Sequence, residues 1–445
     1  MAAVFRVGII KTLSKNSPIL LSNSSAELVL PARTISGQAL RCALPPVKKP
    51  KPWPYKTKRY NFFRSLFDKT TKRLDENSKI IVVEGPVASG KTELAKALAV
   101  EFDMLYLPEA NQDMWYTNEY GYNYKKLDPQ LPESVRSFDI PEFLCNPRHK
   151  LTAAFQLRQY MVKYSQYIDA LAHVLSTGQG VVLDRCVYSD FVFMEAMFSE
   201  GYISKEARSI YYDARKCSIN ELLKPHLIIY LDLPVDQVLK NIKARGYACE
   251  TQSNVLSKKY LTCIEDFYKL NYLKDISTNS ELLIYDWTDK GDIDVVVEDI
   301  ERIKFHRSDD HDPKLIDWVY YNEEDWAVVR NLYADNKDDL MRYLNIPRYD
   351  APELVAEAED AYKFSELIMS APGNVYEPGY NSEMGDKGVM FKVGISMRPT
   401  LPLVERSNNI TRVSKIIDCL YLASHETYFV KRHKSEARVV FQDIC

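Results

Sequence analysis

From Lys79 onward, apolar and polar positions alternate in blocks that predict strands and helices in turn. Ile80, Ile81, Val82 and Val83 form an unbroken apolar run, as suits a central parallel strand buried on both faces. Leu94, Leu98 and Phe102 follow at i, i+4 and i+8, which predicts a helix with one buried face. Shorter runs at Met104–Leu107, Gly180–Leu183, Leu227–Leu231 and Leu282–Tyr285 read as further strands. Between them, Leu151–Leu175 repeats Ala154, Leu157, Met161, Tyr164, Ile168 and Leu171 on one helical face. Such alternation predicts an α/β fold over residues 78–302. The expected form is a doubly wound, five-stranded parallel sheet with helices on both faces and a ligand site at the carboxyl ends of its strands.

The flanks have other patterns. In residues 303–395 the strand alternation fades, and charged and aromatic residues such as Trp318, Trp326, Tyr343, Tyr349 and Tyr380 dominate. Pro378-Gly379 and Gly385 interrupt any long element, so a partly helical C-terminal extension that docks on the core or on a neighbour is expected. The tail 396–445 bears no clear relation to the body, and no role is assigned to it. Upstream, Pro45–Phe67 is rich in Pro, Lys and aromatics, so residues 42–77 read as an extended N-terminal arm suited to a partner or an anionic surface. Residues 1–41 carry Arg6, Lys11, Lys15, Arg33 and Arg41 among serines and aliphatics, and Glu27 is the only acid before Asp68. That composition reads as a mitochondrial transit peptide, with cleavage expected within 30–42.

Composition narrows the function classes. With 46% hydrophobic residues in 445, a large core is available. The 30 tyrosines and 5 tryptophans suit broad, partly buried surfaces or an interface. A net charge of −3 supplies no basic field for nucleic acid. No apolar run approaches the ~20 residues of a membrane-spanning helix, so a membrane link is expected to pass through a partner. The eight cysteines include no CxxC pair, and mostly buried thiols in a reducing compartment are expected.

The strongest chemical signal lies between the first strand and the first helix. Gly85-x-x-x-x-Gly90-Lys91-Thr92 is a phosphate-binding loop in its working context. Its glycines let backbone N–H groups turn toward an anion, with Ser89 and Gly90 leading into the helix. Lys91 suits the β- and γ-phosphates, and the Thr92 hydroxyl suits Mg²⁺. Three clusters surround the loop. Glu109 follows the second strand and can serve as general base toward a hydroxyl. Asp184-Arg185 ends the third strand; the acid suits Mg²⁺ and the arginine suits transferred-phosphate charge. Arg245, in Lys243-Ala244-Arg245-Gly246, falls where a phosphate-closing lid is expected.

Together these motifs resemble the deoxynucleoside kinase family over roughly residues 78–302. The resemblance implies Glu109 as general base and Arg185 as the phosphate-stabilising arginine. It places Gln156 on the nucleobase edge and Glu250 near the sugar 3′-hydroxyl. The chain departs from the family pattern at Tyr247, where a second lid arginine is usual, at Cys186 in place of serine, and at Asp184 in place of glutamate.

Longer segments, among them KPWPYKTKRYNFF, GYNYKKLDPQLPESVRSFD and KPHLIIYLDLPVDQV, resemble a narrower family up to about residue 395. It comprises the deoxynucleoside-kinase-like accessory subunits of mitochondrial complex I, the NADH:ubiquinone oxidoreductase, in their insect form. The resemblance implies a matrix-side subunit that supports assembly or stability, with the other complex I subunits as partners and no catalysis of its own. It also implies FAD by family description, but the chain has no Gly-x-Gly-x-x-Gly fingerprint for it. The loop points instead to a nucleoside triphosphate or deoxynucleotide with Mg²⁺. The alternative is an active mitochondrial deoxynucleoside kinase.

Overall fold

The computed structural model describes residues 4–5, 35–43, 49–305 and 312–387. The tail 396–445 and most of the expected transit peptide lie outside the described residues. Five strands run parallel: β1 (Ile80–Glu84), β2 (Leu105–Leu107), β3 (Val181–Asp184), β4 (Leu227–Asp232) and β5 (Glu281–Asp286). Each matches its predicted strand to within one residue at either end. Their spatial order is β2-β3-β1-β4-β5, and Val4–Phe5 adds a short antiparallel pairing outside β5.

That order positions the site. Successive connections from β1 run first to one side of the sheet and then to the other, so the chain diverges at the carboxyl end of β1. The register sets Val83 opposite both Asp184 and Ile229. The loop that leaves β1 and the residues that leave β3 therefore start side by side.

Strand pleating explains the unbroken apolar run. Ile81 and Val83 face one side of the sheet, where they join a core with Leu94, Leu98 and Phe102 from the helix Lys91–Glu101 and its end. The same core takes in Val238 and Ile242 of the helix Val235–Arg245 and Val296 and Ile300 of the helix Ile293–Glu301. Ile80 and Val82 face the other side and are equally inaccessible to solvent. A strand buried on both faces has no polar positions to offer, which is why the sequence shows none there.

The chain forms two compact units, neither continuous in sequence. One holds Met1–Ala110, Lys163–Ala196 and Ile219–Leu340; the other holds Asn111–Val162, Met197–Ser218 and Met341–Cys445, in so far as these residues are described. The first contains the whole sheet. It also contains Ile35, buried in the sheet core, with Ser36 N donating to Asn77 Oδ1 at 2.9 Å and Gly37 N to Glu301 Oε1 at 2.7 Å. The second has its own core, in which Phe364 and Ile368 of the helix Ala358–Ser370 pack with Tyr124, Leu127, Leu131 and Val135. The expected partly helical extension is present as the helices Glu323–Asp335, Lys337–Arg342 and Ala358–Ser370, divided between the units. The thiols depart from expectation. Of the six described cysteines, Cys186 is buried, Cys249 and Cys263 are half-buried, and Cys42, Cys145 and Cys217 are exposed.

Candidate functional site

After Glu84 the chain turns through Gly85–Gly90 into the helix Lys91–Glu101. A side chain at Gly85 would bring a Cβ to 3.0 Å from the Leu231 carbonyl oxygen and 3.2 Å from Ser89 Oγ, so this position needs glycine. Ala88 and Gly90 both adopt left-handed backbone, with φ of 56° and 82°. Glycine tolerates this; alanine does so under strain. The Ala88 carbonyl is fixed by Asn241 Nδ2 at 3.1 Å.

Five of the predicted site residues converge here: Lys91, Thr92, Glu109, Asp184 and Arg185. Arg185 Nη1 donates to Glu109 Oε1 at 2.6 Å, and its Nη2 donates to the Gly85 carbonyl at 2.8 Å. Lys91 Nζ lies 3.6 Å from Glu109 Oε2 and 3.8 Å from Asp184 Oδ1. The Thr92 hydroxyl donates to Asp184 Oδ2. Arg185 has φ of 61°, so the chain bends sharply as it leaves β3, with the guanidinium on the loop carbonyl. Strain of this sort at a charged residue is characteristic of functional sites.

The cations and carboxylates hold one another's charge states. Burial pushes the Glu109 carboxyl up, but Arg185, Lys91 and Lys163 outweigh it and bring its pKa down to about 2. Burial and the neighbouring Arg185 push Lys91 below the usual lysine value, against the pull of Glu109 and Asp184. Burial likewise works against the Arg185 charge, but Glu109 more than restores it and its pKa is raised. Glu84, at the end of β1, is fully enclosed and accepts from Cys186 N at 3.2 Å and the Tyr268 hydroxyl at 3.0 Å. Burial raises its pKa despite Arg185. Behind Arg185, Lys163 and Asp190 form a buried ion pair at 2.7 Å, with both cations stacked against the Phe193 ring at 5.0 Å.

Three buried polar atoms at the site have no hydrogen-bond partner among the described residues: the donors Ser89 Oγ and Arg185 Nε, and the acceptor Asp184 Oδ1. Leaving the two donors unpaired costs roughly 1–3 kcal/mol each, which a ligand rich in acceptor oxygens recovers. A phosphate group in the loop fits that need. Lys91 and the loop backbone would hold it. Thr92 and Asp184 would supply one hydroxyl and one carboxylate toward Mg²⁺.

The other expected ligand contacts are placed differently. Arg245, at the end of its helix, bonds Glu250 through two nitrogens, with Nη2 2.6 Å from Oε1. Its guanidinium lies over the Tyr247 ring at 5.1 Å. The expected lid cation and the expected sugar-reading acid thus satisfy each other. Gln156 belongs to the second unit, where it is buried beside Phe155, whose ring stacks on Phe143 at 5.6 Å. Sequence reasoning missed Glu84, Lys163 and the left-handed Arg185. Lys163 left a signal: it stands between Met161 and Tyr164 in a helix whose neighbouring positions are almost all apolar or buried.

Residues 81–326 match the deoxynucleoside kinase family. The Mus musculus protein described as NADH dehydrogenase (ubiquinone) 1 alpha subcomplex subunit 10, mitochondrial, is 36% identical over 339 residues, 75% of this chain and 90% of its own length. Its Bos taurus counterpart is 35% identical over 329 residues, 74% of this chain and 91% of its own. A deoxyguanosine kinase from Dictyostelium discoideum is 32% identical over 238 residues, 53% of this chain and 73% of its own.

Proposed function

We propose a function from one premise: the chain belongs to the deoxynucleoside kinase family and, with the mammalian alpha subcomplex subunit 10, to the kinase-like subunits of mitochondrial NADH dehydrogenase. On this reading the protein is an accessory subunit of complex I on the matrix side of the inner membrane. Its loop site holds a nucleoside triphosphate or deoxynucleotide with Mg²⁺ as a resident ligand that stabilises the folded subunit. No helix among the described residues is long and apolar enough to cross a membrane, so the chain docks through other subunits.

One observation carries this. The subunit relatives match three quarters of the chain, whereas the deoxyguanosine kinase matches about half. What lies beyond the kinase match is thus shared with proteins named as subunits. Native electrophoresis of detergent-solubilised mitochondria tests it. Migration with the NADH dehydrogenase assembly is the expected result, and migration as a free monomer or dimer would overturn it. Mass spectrometry of the ligand released on denaturation identifies the nucleotide; flavin in its place would replace this account of the site.

A second reading, an active deoxynucleoside kinase, is favoured by Glu109 standing next to both Lys91 and Arg185. In that reaction a deoxynucleoside 5′-oxygen bonds the γ-phosphorus as its bond to the ADP oxygen breaks, and the hydroxyl proton passes to Glu109. Turnover by the purified protein that Glu109→Ala abolishes would establish it.

A further inference from the structure

The segment from Lys49 to Thr71 mixes lysines, arginines and aromatics with a single acid, Asp68. The fold sorts these residues into two sets. One set turns inward. Arg330, fully buried, lies over the Tyr60 ring at 3.7 Å and donates to Asp68 Oδ2 at 3.0 Å. Tyr60 N donates to Asp335 Oδ2 at 2.7 Å, and the Thr71 hydroxyl donates to Glu323 at 2.6 Å. All three partners sit on the helix Glu323–Asp335.

The other set faces solvent. Between those anchors lies the short helical turn Phe62–Ser65, and around it Phe63 is 73% exposed, Leu66 58% and Phe67 87%. Lys56, Lys58, Arg59 and Arg64 are exposed beside them, and none has a carboxylate within 4 Å among the described residues. Asp68 is committed to Arg73 and Arg330. The tip is therefore apolar with a predominantly cationic rim, in which Arg59 also acts on the charge of Asp335, on a chain whose net charge is −3.

We infer that this tip is a docking surface for a partner protein presenting an apolar groove with an acidic rim, within the assembly named under the proposed function, on which this inference rests. Two exposed phenylalanines and a leucine on one turn exceed the scattered apolar residues that need no explanation. The inward anchors fix the tip before binding, which lowers the entropy lost on docking. The cationic rim demands an acidic complement and sets the approach of the partner. A membrane surface suits the geometry less well, because interfacial helices bury a long apolar face and this turn has four residues. A second copy of the chain is disfavoured, since a two-fold contact would set one cationic rim against the other.

The test uses the full chain expressed in mitochondria. Phe63→Ser with Phe67→Ser forms one variant; Lys56→Glu, Lys58→Glu and Arg59→Glu form another. Both should lower the fraction that migrates with NADH dehydrogenase roughly tenfold or more, as loss of central anchors does. Melting temperatures of the purified variants should stay close to wild type. If the phenylalanine variant fails to fold, the charge-reversed one, altered only at exposed side chains, decides alone. Wild-type migration of folded variants would overturn the inference. So would flotation of wild type, but not the variants, on phosphatidylcholine–cardiolipin vesicles with complex migration intact; the surface would then face lipid. Failure of wild type to co-migrate at all would instead sink the assembly reading.

Discussion

Arg185 and Arg330 are both buried arginines paired to a carboxylate, yet their surroundings shift them in opposite directions. Arg330 sits on a regular helix, enclosed by Tyr60 and Trp53, with Arg73 competing for the same Asp68. Burial there lowers its pKa. Arg185 sits on strained backbone, and its partner Glu109 leaves a third of its own side chain exposed. Glu109 and Glu84 raise its pKa in spite of burial. The first arrangement joins chain segments 262 residues apart, with Arg330 Nε left unpaired beside the Tyr60 and Trp53 rings. The second leaves Ser89 Oγ, Asp184 Oδ1 and Arg185 Nε unanswered around a loop lysine. Buried charge therefore has two uses here: one arginine ties the arm down, and the other waits for an anion.

The comparison breaks most visibly at the closed end. Arg330→Ala should lower stability by roughly 3 kcal/mol, through lost packing on Tyr60 and an Asp68 left with less charge compensation. Arg330→Met, which keeps the apolar stem, should lose less. Denaturant unfolding measures both, and an alanine variant within about 0.5 kcal/mol of wild type, as at an ordinary surface site, would mean the clamp is ornamental.

At the open end the expected pattern is reversed. Lys91→Ala should weaken ATP binding roughly tenfold to a hundredfold, since hydrogen bonds to charged groups are worth about 1.5–3 kcal/mol. Stability without ligand should hold or rise, because burial already disfavours the lysine charge. Thermal shifts with and without Mg-ATP separate the two effects. A destabilised variant that still responds fully to ATP would make Lys91 a second Arg330.

Acid should sharpen the contrast further. Glu109 has its folded-state pKa depressed to about 2 from 4.5, so its stabilising share is complete above pH 4.5 and is lost as pH falls through 2. Wild type should lose stability across that window, and Glu109→Gln should flatten this part of the profile. Equal slopes in the two proteins would show that Arg185 does not depend on Glu109.

The sequence reveals one end of this comparison far better than the other. The strands and the phosphate loop are local: a run of β-branched residues or a glycine spacing carries its own reason, and all five strands are found within a residue. Glu109 and Arg185 were readable because each directly follows a strand end, and parallel register brings strand ends together. The Arg330–Asp68 clamp joins residues with no local relation, and Arg330 in sequence is one more helix arginine. The discontinuous units are hidden for the same reason, since Asn111–Val162 and Met341–Cys445 share no pattern that announces their association. Arg245 and Glu250 show the converse. Arg245 reads as a lid residue and Glu250, by resemblance, as an acid near the sugar 3′-hydroxyl, but five positions apart across Gly246 they reach each other first.

The smallest effect bears on why the open site is strained at all. Ala88 holds φ of 56° between Gly85 and Gly90. Left-handed backbone costs an L-residue roughly 1–2 kcal/mol. Ala88→Gly removes that cost but gives the unfolded chain more freedom, worth about 0.5–1 kcal/mol in the other direction. The net gain in stability should be about 0.5 kcal/mol or slightly more. If the strain only tolerates the turn, Mg-ATP affinity should be unchanged. If it fixes the loop amides in advance, as the Asn241 bond to the Ala88 carbonyl favours, the more stable variant should bind ATP slightly less tightly. Calorimetric titration beside unfolding curves distinguishes the two, and the second outcome is expected, because loop amides held in place before the anion arrives lose less freedom on binding it.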